Sequence, residues 1–189
     1  MPEPVKNPLP YVERLDTRSP ESIRLVVIHA TELPDMATAR EYGERIHHEA
    51  SRTGNSGHFY IDRDGRVEQW VPLERVAHHV RGHNKDTIGI ELVNRGRWPD
   101  WYDSRHQDWE EGYPEPQIRA LVGLLQTLES QLPGLVEIAG HDQLDRDWVA
   151  ATNSPETLVR RKVDPGPEFP WTDVLSAIDL RHHQVPEDG

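Results

Sequence analysis

The sequence predicts an α/β fold: one domain built on a mixed central β-sheet flanked by helices. Three features predict it. Residues 23–28 and 87–93 are apolar, β-branched runs of strand length, the pattern of strands buried on both faces. A long apolar stripe at helical spacing, 118–132, separates the second run from a short third one at 135–139, so strands and helices alternate. The length, 189 residues, supplies one core and a short arm but not two cores.

Taken in chain order, Pro2, Pro4, Pro8, Pro10 and Pro20 bar regular helix from residues 1–20, which read as an extended N-terminal leader. The domain proper is expected over 21–181. Its first strand is Ile23-Arg24-Leu25-Val26-Val27-Ile28. Ala39, Tyr42, Gly43, Ile46 and Ala50 then fall at helical spacing over 36–50, with Asp35 as the N-cap. A polar loop, 51–57, leads to two β-rich segments, 58–62 and 66–71, around the turn signal Arg63-Asp64-Gly65. After the strand at 87–93, residues 94–116 place Trp98, Trp101 and Trp109 among Pro, Gly and charged residues. This irregular insertion is longer than most loops in compact domains, and such loops usually serve function or move. Ile118, Leu121, Val122, Leu125, Leu128 and Leu132 form the clearest helix, with Pro116 near its first turn and Pro133-Gly134 ending it. A strand at 135–139, a charged loop at 142–163, a last helix at 173–180 and a frayed tail at 182–189 complete the chain.

Composition narrows the function classes. Hydrophobic residues are 35% and charged residues 29%, and no run approaches the roughly 18 apolar residues of a membrane span. There is no cysteine, so disulfides, thiolate catalysis and sulfur-based zinc sites are excluded. With 21 basic and 33 acidic residues the net charge is −12, which disfavours nucleic acid and anionic membranes as partners. Histidine is abundant, at eleven residues, so any metal chemistry rests on imidazole and carboxylate.

Three candidate ligands share a context. His29 follows the first strand, His141 follows Val136-Glu137-Ile138-Ala139-Gly140, and Asp164 sits in the stiff turn Lys162-Val163-Asp164-Pro165-Gly166-Pro167. In open α/β sheets ligands gather beyond the carboxyl ends of strands. Two imidazoles and one carboxylate suit Zn²⁺ and leave a fourth position for water. Solvated histidines and a turn aspartate are the ordinary alternative. Glu91 adds weight, because a carboxylate in the apolar strand 87–93 is costly to bury unless paired or near a cation. Gly89, on the same face, opens space beside it. A structural glutamate explains this as well; a general base facing a metal-activated water gives it a purpose. Lys162 is placed to stabilise an oxyanion, or is simply a solvated loop lysine.

Five motifs in one order carry a resemblance: Val27-Ile28-His29-Ala30-Thr31, Ser56-Gly57-His58-Phe59-Tyr60-Ile61 with Arg63-Asp64-Gly65, Ile88-Gly89-Ile90-Glu91, Gly140-His141, and 161–167. Over roughly residues 23–180 the chain resembles the zinc-dependent N-acetylmuramoyl-L-alanine amidases of the type-2, AmpD-like family, related to phage lysozyme amidases and peptidoglycan recognition proteins. The resemblance implies a zinc cleft on one face of the sheet. It also implies hydrolysis of the amide between the lactyl group of N-acetylmuramic acid and the first L-alanine of the stem peptide. Carried over by position, His29, His141 and Asp164 match the family's zinc ligands, Glu91 its catalytic glutamate and Lys162 its catalytic lysine. His79 resembles a histidine bordering the substrate groove, and Arg161 an arginine facing a muropeptide carboxylate. The connection 142–163 and the insertion after Asn94 are both longer than in compact members, so both are expected to line the groove and set substrate preference.

The expected substrate is a peptidoglycan fragment, a soluble muropeptide in the cytoplasm. No export segment, lipid-attachment cysteine or separate wall-binding domain is visible, although export without a signal leaves no mark in a sequence. The alternatives are a lytic amidase acting on intact wall, a non-catalytic peptidoglycan-binding module, and a non-haem iron triad. Oligomeric state is not legible. Of the other histidines, His58 reads as a hydrogen-bonded core residue. His47 and His48 read as a solvated helix face, and His182 and His183 as a solvated tail.

Overall fold

A computed structural model describes residues 3–184. Its elements are β1 (Val5–Lys6), β2 (Leu25–Ala30), α1 (Met36–Glu44), β3 (Phe59–Ile61), β4 (Val67–Gln69), β5 (Thr87–Leu92), α2 (Glu115–Gln131), β6 (Glu137–Gly140), α3 (His141–Leu144), β7 (Trp148–Ala151), β8 (Ser154–Arg160), α4 (Trp171–Ser176) and β9 (Arg181–His182). One mixed sheet runs in the order β1-β4-β3-β5-β2-β6-β9, and β7 and β8 form a separate antiparallel hairpin. The central strands β3, β5, β2 and β6 are mutually parallel, so their carboxyl ends lie at one edge.

Strand alternation divides the sheet's faces. Val26, Ile28, Ile88, Ile90, Leu92 and Ile138 point to one side, where they pack with Leu121, Leu124, Leu125 and Leu128 of α2. Each of these leucines, withdrawn from water, contributes about 2 kcal/mol of apolar burial, which holds α2 against the sheet. Leu25, Val27 and Ala139 face the other way, as do His29 and Glu91. The expected α/β architecture is the observed one. Asp35 caps α1 as anticipated, accepting from the Thr38 N–H at 2.7 Å.

Several elements differ from the sequence expectation. Of the expected leader 1–20, residues 3–20 are described; they are extended in part and pack into the body. Val5 and Lys6 pair with Glu68 and Gln69, and Leu9, Tyr11, Val12 and Leu15 are buried in a second cluster with Trp70. Helix α1 stops at Glu44 instead of continuing to residue 50. Arg45 turns extended, and the N–H groups of His47 and His48 both bond to the Thr53 carbonyl. The charged loop 142–163 contains the last three residues of α3 and the β7–β8 hairpin, whose largely exposed residues show no apolar pattern to read. The last helix is shorter and earlier than 173–180. His182, expected in a frayed tail, pairs with Ile138, and residues 185–189 lie outside the described residues. Among the described residues no helix is long and apolar enough to cross a membrane.

Candidate metal centre

The parallel register sets the site. His29, next to last in β2, stands directly opposite Glu91 of β5. His141 begins α3 immediately after β6, the other neighbour of β2. Asp164 reaches them from the turn after β8, and its backbone carbonyl accepts the Asp142 N–H at 2.9 Å, which ties the Asp164 turn to α3.

The three side chains converge on one point. His29 Nδ1 lies 2.9 Å from His141 Nδ1, and Asp164 Oδ2 is 3.2 Å from the first and 3.1 Å from the second. All three residues are buried, and the other carboxylate oxygen of Asp164 is buried with no hydrogen-bond partner. Ligand atoms bound at roughly 2.0–2.1 Å in a tetrahedron stand about 3.3 Å apart. The trio is within a few tenths of an ångström of that spacing, so it fits a metal ion and leaves one of four positions to come from outside. Burial, with His141 beside it, holds the His29 imidazole down to about 4, the neutral form a ligand needs. Burial by itself raises the Asp164 carboxyl; the His141 ring, the close contacts of its oxygen with both imidazoles and the Lys162 charge outweigh it and hold the group well below the usual range.

Glu91 Oε1 is 4.0 Å from His29 Nδ1. Burial, and then the Asp164 charge, push its carboxyl up to about 8 against the opposing pull of Lys162. A cation held by the trio would oppose the same shift. The space around Glu91 depends on Gly57, where an added Cβ would stand 2.8 Å from Glu91 Cγ. Lys162, Glu91 and the trio line one cleft of about 260 Å³ with Tyr42 at its side. All five residues expected to hold metal or perform chemistry are thus brought together.

The two expected substrate contacts fare differently. His79 lines the cleft, as expected, but has both ring nitrogens engaged within the protein, Nδ1 with His29 Nε2 at 3.0 Å and Nε2 with Thr87 Oγ1 at 3.0 Å. Arg161 forms an ion pair with Asp145 and lies 3.7 Å from Asp147, and it is not among the cleft-lining residues. A local acidic cluster therefore holds the guanidinium that was expected to meet a substrate carboxylate. His58 is a buried core histidine, as expected, with Nδ1 accepting the Gly89 N–H at 3.1 Å.

Sequence reasoning missed one structural device beside the site. Arg97, from the tryptophan-rich insertion, is 1% exposed and binds Glu32 through Nε at 2.7 Å and Nη2 at 2.9 Å. Its Nη1 also donates to the Arg160 carbonyl at 3.0 Å, two residues before Lys162. One guanidinium therefore joins the exit of β2 to the approach to Lys162 and Asp164. The hairpin is tied to the same insertion, with the Thr152 N–H donating to the Tyr102 carbonyl at 2.8 Å. The two long connections thus brace each other and the ligand turn. The only sequence signal was that Arg97 lies in the irregular insertion 94–116; nothing singled out Glu32.

A buried His–His–carboxylate trio at the strand ends of a mixed α/β sheet, with a glutamate alongside, defines a candidate metal centre of hydrolytic type. The chain belongs to the N-acetylmuramoyl-L-alanine amidase family Amidase_2, whose model matches residues 19–167. It is 32% identical over 121 residues to the 1,6-anhydro-N-acetylmuramyl-L-alanine amidase AmpD of Enterobacter cloacae, covering 59% of this chain and 51% of that protein. It is 35% identical over 85 residues to the endolysin of Klebsiella phage KP32, covering 45% and 52%. These matches span about half the length of the curated relatives. In structure the chain is similar to the endolysin amidase LysCS of Clostridium intestinale, with a TM-score of 0.66, 21% identity and coverage of 96% and 98%. It is similar also to the amidase AmiD of E. coli, solved with the substrate anhydro-N-acetylmuramic acid-L-Ala-D-gamma-Glu-L-Lys, at TM-score 0.60, 23% identity and coverage of 82% and 57%. At those identities the likeness is one of fold.

Proposed function

We propose that this chain is a zinc-dependent amidase that hydrolyses the bond between the lactyl carbonyl of N-acetylmuramic acid and the L-alanine nitrogen, acting on soluble muropeptides in the cytoplasm. The observation that carries the reading is the convergence of His29 Nδ1, His141 Nδ1 and Asp164 Oδ2 with Glu91 4.0 Å away. Two imidazoles and one carboxylate are a donor set that suits zinc. When bound, zinc supplies a Lewis acid that brings a water pKa from roughly 15.7 to about 7.

The protein's own groups do the rest. Glu91, on the cleft face beside His29, accepts a proton from the attacking water as its oxygen bonds to the lactyl carbon. Lys162 directs its ammonium at the carbonyl oxygen as that atom gains charge. As the carbon–nitrogen bond breaks, Glu91 returns the proton to the departing alanine nitrogen, so the carboxylate is regenerated. The AmpD relatives support the anhydro-muropeptide as substrate. A second reading, lysis of intact wall, is supported by the endolysins among the relatives.

Metal analysis and kinetics test both. One zinc per chain, lost in His29→Ala, is expected, with a higher kcat/KM on a soluble anhydro-muropeptide than on purified sacculi. Stoichiometric zinc retained by His29→Ala under mild chelation would overturn the ligand assignment. Efficient digestion of sacculi with little activity on the fragment would favour the lytic reading.

A further inference from the structure

Thr87 opens β5 on the same face as Glu91, and its hydroxyl has a single proton to give. Oγ1 lies 2.8 Å from the His83 carbonyl oxygen, which can only accept, so the proton points there. Oγ1 therefore accepts from His79 Nε2, 3.0 Å away, and Nε2 carries the hydrogen. The His79 ring packs edge-on against the buried rings of His29, at 5.1 Å, and His58, at 5.7 Å, and among the described residues neither of its nitrogens meets a carboxylate that would hold a second proton. A neutral ring protonated at Nε2 has a bare Nδ1. That atom faces His29 Nε2 at 3.0 Å, so His29 Nε2 is the donor. His29 Nδ1 is left with a free lone pair, and it is the atom that meets His141 and Asp164.

The local sequence is arranged around this chain of bonds. The Asn84 side chain accepts the backbone N–H groups of His79 at 3.0 Å and Val80 at 2.8 Å, which fixes the loop carrying the ring. Gly89 provides the room, since a Cβ there would stand 2.6 Å from His79 Cγ. Thr87, Gly89 and Glu91 thus serve the site from one face of one strand.

We propose that His79 is a positioning residue which, oriented by Thr87 and the His83 carbonyl, fixes the tautomer of His29 so that Nδ1 is presented to the metal. The inference rests on the zinc reading above for its purpose. Partners of a ligating histidine's second nitrogen typically change metal affinity 10–100-fold; here the partner is a second imidazole.

The test is zinc affinity by competition with a chromophoric chelator, together with long-range ¹H–¹⁵N spectra of the histidine rings, on the full chain. His79→Phe keeps the ring but removes the acceptor, and is expected to bind zinc about 10–100-fold more weakly. Thr87→Val is expected to weaken binding in the same direction, and Thr87→Ser, which restores the hydroxyl, to recover it. A purely structural role for Thr87 would not distinguish the hydroxyl in this way. The spectra should show Nε2–H on both His79 and His29 in wild type. Wild-type affinity in Thr87→Val and His79→Phe, or an Nδ1–H tautomer at His79, overturns the inference. If wild type itself binds no zinc, the metal reading fails separately, and the tautomers in the metal-free protein still decide the relay. If His79→Phe fails to fold, the Val and Ser variants at Thr87 carry the test.

Discussion

Replacing Arg97 with methionine keeps most of the side-chain volume and removes every guanidinium bond. Glu32 then loses its two charged donors, at 2.7 and 2.9 Å, and keeps only the long contact from the residue 97 backbone N–H at 3.2 Å. Its carboxylate is 6% exposed, so water does not replace the lost partners. Breaking a buried pair by removing one member costs about 3–5 kcal/mol. For a chain of this length each kcal/mol lowers the melting temperature by about 2–4 °C, so Arg97→Met should melt roughly 6–20 °C below wild type. Adding Glu32→Gln removes the stranded charge, and the double variant should recover at least about 2 kcal/mol relative to the sum of the single changes. Turnover should also fall, because the Arg160 carbonyl loses its anchor two residues before Lys162. Thermal unfolding followed by circular dichroism checks this. An Arg97→Met protein melting within about 3 °C of wild type would refute the clamp.

The remaining expectations concern Glu91 and its surroundings. Glu91→Gln, nearly isosteric but unable to take a proton, should lower turnover by about 10² or more with zinc content unchanged; full turnover would make Glu91 structural. In the metal-free protein the Glu91 carboxyl is raised from 4.5 to about 8, so its contribution to stability is full below about pH 4.5 and is lost as pH rises through about 8. Denaturant unfolding should show stability falling across that window, and a slope equally steep in Glu91→Gln would disprove the assignment. On the acid side, His29, lowered to about 4, and His58, lowered to about 3, should cost stability as pH falls below about 6.5. Gly57→Ala places a methyl 2.8 Å from Glu91 Cγ. It should reduce turnover while leaving zinc affinity near wild type, and equal activity would show that the strand yields.

What could be read in the sequence was whatever follows from local pattern. The buried runs around Val26 and Ile90 and the stripe from Leu121 to Leu128 are strand and helix by periodicity, and the parallel register then places His29 beside Glu91. Position placed each member of the candidate trio at a strand end or in a stiff Pro-Gly-Pro turn but left solvated side chains as the alternative; the five motifs of the family resemblance singled the three out. Long-range pairing was not legible. Val5 and Lys6 find their partners in β4, and nothing in a proline-rich stretch announces an edge strand. The hairpin of β7 and β8 exposes both Trp148 and Leu158, so no apolar alternation marks it. The engagement of His79 with Thr87, and of Arg161 with Asp145, depends on side-chain geometry that spacing does not encode.

The most direct measurement is mass spectrometry of the products formed when the zinc-loaded protein is incubated with an anhydro-N-acetylmuramyl tripeptide in H₂¹⁸O. Hydrolysis through Glu91 at the lactyl amide should yield a free peptide beginning with L-alanine and carrying no label. The sugar acid released with it should hold one ¹⁸O in its lactyl carboxylate. An intact substrate, or label appearing in a peptide carboxylate after cleavage at another bond, would contradict the assignment of this centre as a muropeptide amidase.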